Sequence, residues 1–134
     1  MKVINEGHIY LLKNLGEGEQ ELKFIKRSGG AIKYDKEWPG LQTQEVLRSL
    51  IDRTKYLYKV MPCEETAQAI KHLRMTLYWY EVRAFRRKAE GVNRKENLHD
   101  DSDTKWLEYA SDFPITEEGI EDMPIGEDGH IILD

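Results

Sequence analysis

Hydrophobic positions near the start of the chain form short runs of the kind found in β-strands. The runs at 8–15 and 21–27 are rich in Ile, Leu, Tyr and Phe, and the glycine-containing turn GEGEQ joins them. Two such runs with a short glycine-containing connection are typical of an antiparallel hairpin. Ala31–Tyr34 is a candidate third strand, and Pro39 and Gly40 break the segment. The pattern therefore predicts a small β-element over residues 1–40.

From residue 41 the apolar positions recur at helical spacing. One stripe runs through 46–60, and Pro62 ends this first helix because the residue before a proline disfavours the α-helical conformation. A second, wider stripe runs through 70–85, and Gly91 is a natural helix stop. A connection of a few residues makes the two helices an antiparallel hairpin. The surplus apolar surface of the second helix is expected to meet the β-element or another protomer.

Residues 97–134 are predicted to form an acidic C-terminal extension. Residues 41–98 hold 12 basic and 7 acidic side chains, whereas residues 99–134 hold 1 and 12. A short helix is expected from Ser102 or Asp103 to Ala110, followed by a terminal strand in GHIILD. Because the extension and the helical hairpin over 41–96 carry opposite charge, we expect the extension to fold back and compete with anionic ligands. Truncation near residue 98 is then expected to raise the affinity for such ligands at low salt.

These segments together predict an α+β protein. Its parts are a small N-terminal antiparallel β-element, a long αα-hairpin and the acidic extension. The single cysteine, Cys63, excludes an internal disulfide and fits a reducing compartment. No apolar run resembles a signal peptide or a membrane span, so a cytosolic protein without a membrane partner is expected. The net charge of −5 argues against binding to duplex nucleic acid.

The chain has no recognisable catalytic or cofactor-binding motif. It lacks a glycine-rich nucleotide loop, a zinc-type pair of histidines and a pair of cysteines. The run His99-Asp100-Asp101 is more typical of a solvated loop than of a metal site, and Cys63 is more typical of a helix start than of a nucleophile. We therefore expect no enzymatic activity, no metal and no cofactor.

The end of the second helix carries the most suggestive chemistry. Arg83, Arg86 and Arg87 are spaced by three and four residues, and Arg94 follows just beyond the helix. The planar guanidinium group matches phosphate in a bidentate geometry, and aromatic rings such as those of Tyr78 and Trp79 can stack on a nucleobase. The alternative is a solvated helix end whose arginines complement the helix dipole, with Trp79 in the core.

The middle of the chain resembles the helical-hairpin family of phage anti-defence proteins, which comprises Thoeris anti-defence and anti-CBASS nucleotide sponges. The Thoeris anti-defence branch, which carries a β-segment before the hairpin, is the more similar of the two. The resemblance covers roughly residues 8–96 and rests on Gly40, Val46, Leu50, Ile51, Arg53, Leu57, Pro62, Cys63, Glu65, Ala69, Ile70, Leu73, Leu77, Trp79, Glu81, Arg83, Arg87, Gly91 and Val92. Thr66, Asn93 and Arg94 depart from the family pattern, and the acidic extension has no counterpart in it.

The resemblance implies a phage protein that binds a cyclic nucleotide immune signal in the host cytoplasm without cleaving it. The ligand would be a cyclic ADP-ribose isomer of Thoeris or, as a second possibility, a cyclic oligonucleotide of CBASS. It also implies a homo-oligomer, often a hexamer, with pockets between protomers. The expected ligand-binding residues are Tyr78, Trp79, Arg83, Arg86, Arg87, Gly91, Asn93 and Arg94, with Gly91 and Asn93 shaping the loop. The alternative is a non-enzymatic protein-binding module whose acidic extension blocks a basic partner.

Overall fold

The computed structural model describes residues 1–27, 35–89 and 103–133. Three strands come first: β1 (Lys2–Asn5), β2 (Ile9–Lys13) and β3 (Glu19–Lys23). The described residues then form three α-helices: α1 (Thr43–Val60), α2 (Glu64–Ala89) and α3 (Asp103–Asp112). A short 3₁₀ helix spans Ile120–Asp122. The fold class predicted from the sequence, α+β with an N-terminal antiparallel sheet and a helical hairpin, is confirmed.

The strands form one antiparallel sheet in the order β1-β2-β3. The turn between β2 and β3 closes where the backbone N–H of Asn14 donates to the carbonyl oxygen of Gly18 at 3.0 Å. Gly18 has φ near +89°, a conformation that side-chain-bearing residues avoid, so the glycine-containing turn fixes the hairpin register. The strand β1 was not expected, because its four residues carry no alternating pattern and form a strand by pairing with β2.

The chain returns to β3 just before the first helix. Leu41 donates its backbone N–H to the carbonyl oxygen of Lys23 at 2.8 Å and accepts from the N–H of Ile25 at 2.9 Å. A Cβ on Gly40 would lie 2.5 Å from the backbone carbon of Phe24, so only glycine permits this approach. The predicted third strand, Ala31–Tyr34, lies outside the described residues.

The helices α1 and α2 form the expected antiparallel pair. The side chains of Ile51 and Leu77 are fully buried between them, and Leu47 is nearly so. Each fully buried Leu or Ile side chain contributes roughly 1.5–3 kcal/mol through the hydrophobic effect. The pairing places Arg48 of α1 beside Glu81 of α2, and their side chains form an ion pair at 2.9 Å.

The C-terminal extension completes this core. Ile120, in the 3₁₀ helix, is fully buried, and Ile131, near the C-terminus, is 4% exposed; both belong to the same cluster as Leu47, Ile51 and Leu77. The expected short helix is present as α3, whereas the expected strand in GHIILD is reduced to one bridge between Ile125 and Ile131. Part of the surplus apolar surface of α2 is thus covered by the chain's own extension.

The described chain divides into two compact units. The N-terminal unit is Met1–Thr43, and the C-terminal unit is Gln44–Asp134, which joins the hairpin and the extension.

Candidate functional site

The last turns of α2 hold the basic residues singled out from the sequence. Arg83 is exposed, and Arg86 and Arg87 are half-buried. Their spacing puts Trp79, Arg83 and Arg86 along one line of the helix surface, with Arg87 beside Arg83. Each of these four residues already has an interaction partner. Gly91, Asn93 and Arg94, the remaining predicted contacts beyond the helix, lie outside the described residues.

The two aromatic residues of the predicted site have different surroundings. The ring of Tyr78 meets that of Phe113 edge-to-face with centroids 5.4 Å apart, and its hydroxyl donates to the carbonyl oxygen of Ala110 at 3.4 Å. Tyr78 therefore helps to hold α3 and the following residues against α2. Trp79 is 40% exposed, and its ring and that of Tyr78 pack edge-to-face with centroids 5.3 Å apart. Of the two, Trp79 presents more ring surface to a ligand.

The extension contributes a carboxylate to the basic end of α2. The ammonium group of Lys88 lies 2.7 Å from Oδ2 of Asp128. The other carboxylate oxygen of Asp128 accepts the backbone N–H of His130 at 3.0 Å. Burial alone would raise the pKa of Asp128, but these hydrogen bonds and the nearby positive charge outweigh it and hold the pKa below its ordinary value. Asp128 is thus an ionised group held against the same helix end as the arginines.

A buried polar cluster joins the two helices to the C-terminus. Glu81 is 2% exposed and accepts hydrogen bonds from Nη2 of Arg48 at 2.9 Å and from the backbone N–H of Ile131 at 3.4 Å. Nδ1 of His130 lies 3.6 Å from the second carboxylate oxygen of Glu81 and 3.3 Å from Nε2 of Gln44. A carboxylate this deeply buried requires such partners, so the cluster fixes the relation of α1, α2 and the C-terminal segment.

A second ionic cluster lies nearer the start of α2. Nε of Arg74 donates to the two carboxylate oxygens of Glu121 at 2.9 and 3.0 Å, and Lys55 lies 3.4 Å from the same carboxylate. Burial acts to raise the pKa of Glu121, but the hydrogen bonds from Arg74 and Lys55 dominate and lower it. The hydrogen bond to Glu121 in turn raises the pKa of Arg74. The pair ties the 3₁₀ helix to the hairpin.

An open cleft of about 550 Å³ adjoins this second cluster. Its lining residues come from both helices and from the extension: Tyr58, Ala67, Gln68, Ile70, Lys71, Arg74, Glu117 and Glu118. An α-helix rises about 1.5 Å per residue, so Arg74 and Arg87 are separated by roughly 20 Å along the axis of α2. The cleft and the basic end of α2 are therefore separate features of the C-terminal unit.

Within the ranges that the structure describes, no three His, Cys, Asp or Glu side chains are grouped as metal ligands would be. Within those ranges, too, no helix combines the length and the apolar character that crossing a membrane requires.

Sequence reasoning did not identify the ionic clusters, and Glu81 and Asp128 illustrate why. Glu81 follows Leu77 by four residues and therefore lies on the apolar face of α2, which was a usable signal for a buried carboxylate. Asp128 gave no such signal, because its partner Lys88 is 40 positions away and both belong to charged stretches.

No protein-family model, curated protein or solved structure matches the chain.

Proposed function

We propose that this protein binds and sequesters a cyclic nucleotide immune signal, without cleaving it, as a phage anti-defence protein in the host cytoplasm. The proposed ligand is a cyclic ADP-ribose isomer of Thoeris, with a cyclic oligonucleotide of CBASS as the second candidate. The observation that carries the proposal is the line of Trp79, Arg83 and Arg86, with Arg87 beside it, at the end of a long helical hairpin. The family resemblance of residues 8–96 supports the same function.

The chemistry of capture needs only groups of this kind. Arginine donates two parallel hydrogen bonds to a phosphate, and such charge-assisted bonds are about twice as strong as neutral ones. An exposed indole such as that of Trp79 offers a face to a nucleobase. A protein that acts by stoichiometric binding requires no general base or nucleophile. Each arginine would exchange its present partner for a phosphate oxygen when the ligand binds.

Self-association would complete the site. The exposed face of α1 presents Leu50, 45% exposed, and Leu57, 39% exposed, two helical turns apart. The end of the helix adds Val60 and Met61, which are 64% and 73% exposed. A patch of apolar side chains of this kind is typical of a protein–protein contact. In a homo-oligomer, which we propose to be a hexamer, symmetry would repeat the arginines around a shared pocket.

The test is direct binding measured by isothermal titration calorimetry with cyclic ADP-ribose isomers and with cyclic di- and trinucleotides. We expect saturable binding of at least one ligand, and recovery of that ligand intact after heat denaturation of the complex. Recovery of a cleaved product would instead identify an enzyme. Absence of binding to every ligand, with a normal oligomer, would favour the protein-binding alternative.

A pair of double variants locates the site. Arg83→Gln/Arg87→Gln is expected to weaken binding at least about a hundredfold, because two charge-assisted contacts are lost. Lys59→Gln/Lys71→Gln removes the same charge from two exposed lysines elsewhere on the hairpin and is expected to bind like the wild type. If only the lysine variant lost binding, the ligand would be assigned instead to the cleft that Lys71 lines.

The protein-binding alternative draws less support from the contacts of the extension. Two of its carboxylates, Glu121 and Asp128, already pair with cations of the same chain. Those charges are therefore partly neutralised before any basic partner arrives.

A further inference from the structure

Trp38 lies within a group of basic and aromatic side chains in the N-terminal unit. The ammonium nitrogens of Lys23 and Lys26 lie 4.6 Å and 4.9 Å from the centroid of its ring. The His8 ring meets it edge-to-face, with centroids 6.2 Å apart. The indole Nε1–H donates to the carbonyl oxygen of Phe24 at 3.1 Å, which fixes the orientation of the ring. The return of the chain to β3 thus assembles two cations around one aromatic ring.

Among the residues that the structure describes, neither ammonium group has a negative partner. The distance between the two ammonium nitrogens is at most the sum of their distances from the centroid of the Trp38 ring. Within the part of the chain that the structure describes, no carboxylate pairs with either lysine. Asp35, an acidic residue close to Trp38 in sequence, instead accepts the backbone N–H of Glu37 at 2.9 Å and closes a turn. Among the described residues, no ion pair therefore offsets the two positive charges beside the Trp38 ring.

An anion with several charged oxygens would offset both positive charges. Each ammonium group has three N–H donors, and cation–π contact with the indole uses none of them as a conventional hydrogen bond. We propose that Lys23, Lys26 and Trp38 form a binding site for a small phosphate-bearing anion, which the two lysines bridge. The lysine charges already lie over the indole ring, so the site recognises the phosphate group and not a nucleobase.

The site has a distinctive ligand preference. Inorganic pyrophosphate and a nucleoside diphosphate are expected to bind with similar affinity, whereas the corresponding nucleoside is expected not to bind. All of its residues belong to Met1–Thr43. Its test is therefore independent of the function proposed for the C-terminal unit.

The experiment follows the indole N–H signal of Trp38 by NMR in the full-length protein, with the signal assigned by its loss in Trp38→Phe. Titration with pyrophosphate at constant ionic strength is expected to move this signal saturably. In Lys23→Gln/Lys26→Gln the dissociation constant is expected to rise at least about tenfold, because both charge-assisted contacts are lost. The matched control, Lys13→Gln/Lys36→Gln, removes two exposed lysine charges of the same unit and is expected to titrate like the wild type.

Three outcomes would overturn the site. The first is a signal that does not saturate, which indicates screening by ions in general. The second is an equal loss of affinity in both double variants. The third is tight binding of the nucleoside, which would indicate stacking on the indole. Cyclic nucleotide binding that depends on Arg83 and Arg87 is unaffected by any of these results.

Discussion

Glu81 is the residue on which three parts of the C-terminal unit converge. Its carboxylate is 2% exposed and has Arg48 on one side and the backbone N–H of Ile131 on the other. Removing one partner of a buried ion pair leaves the other charge desolvated and uncompensated, which costs far more than the pair itself contributes. The consequences of a change at Glu81 should therefore differ sharply from those at an exposed carboxylate.

The substitution Glu81→Gln tests this difference. It should lower the free energy of unfolding by roughly 3–5 kcal/mol, because the buried Arg48 loses its buried partner and keeps the exposed, more distant carboxylate of Glu45. Urea denaturation gives the value. The control is Glu45→Gln, since Glu45 contacts the same arginine at 3.4 Å but is 63% exposed, and its loss should have little effect. Equal losses of unfolding free energy in the two variants would mean that the buried ion pair contributes no more to stability than the exposed one.

Glu121 gives the fold a dependence on pH. Its pKa in the folded protein lies below the ordinary value of 4.5. A lowered folded pKa means that its contribution to stability is complete above the ordinary value and is lost as the pH falls through the folded pKa. The ion pairs with Arg74 and Lys55 are thus expected to stabilise the protein at neutral pH and to lose their effect in acid.

A pair of variants checks the sign of this dependence. Glu121→Gln should be less stable than the wild type at neutral pH, and the gap between their urea midpoints should narrow as the pH falls below about 4. Glu118→Gln removes an exposed carboxylate from the same segment and should follow the wild-type curve closely. A gap that stays constant into the acid range would contradict the assignment to Glu121.

At the scale of elements, the C-terminal extension is part of the core and not an appendage. Ile120 and Ile131 are two of the five buried residues in the main cluster. Truncation near residue 98 would remove both and expose Leu47, Ile51 and Leu77. That truncation is therefore expected to unfold the unit, so competition by the extension must be tested by single substitutions.

Two neighbouring isoleucines measure the structural role of the extension. Ile131→Ala should lower the free energy of unfolding by about 2–5 kcal/mol, because it leaves a cavity in the core. Ile132 is 43% exposed, so Ile132→Ala is the matched control and should change stability little. Urea denaturation of both variants gives the comparison. Similar small effects would mean that the extension is only loosely attached.

Asp128 is the element-level candidate for competition with ligand. Its carboxylate pairs with Lys88 at the same helix end as the proposed arginine site. If the proposed function holds, Asp128→Asn should bind the cyclic nucleotide about three to ten times more tightly at low salt, with a smaller gain at high salt. Glu127→Gln, an exposed neighbour with the same change of charge, should bind like the wild type. An identical gain in affinity in both variants would mean that the effect depends only on net charge and not on the position of Asp128.

At the scale of the whole chain, local patterns predicted the elements but not how they pack. The two helices, the hairpin of β2 and β3, and α3 follow from apolar spacing and glycine or proline signals, which act over a few residues. The pairing of β1 with β2 and the burial of Ile131 against Glu81 depend on contacts that the local pattern does not encode. The arginines were identified from residue type and spacing alone, whereas Asp128 becomes relevant only once the chain folds back.

The oligomer is the property of the whole molecule on which the proposed pocket depends. Leu50 and Leu57 are exposed on one side of α1, so Leu50→Lys/Leu57→Lys should leave the single chain folded while disrupting a contact made there. Sedimentation velocity should give a hexamer for the wild type and a smaller species for this variant, with ligand binding lost in parallel. Glu45→Gln/Asp52→Asn changes the net charge by the same two units at the same seven-residue spacing, but on exposed positions about 140° away around the helix, and should remain hexameric. A hexamer in both variants would exclude this face of α1 from the interface, and a wild-type monomer that still binds ligand would show that one chain suffices for capture.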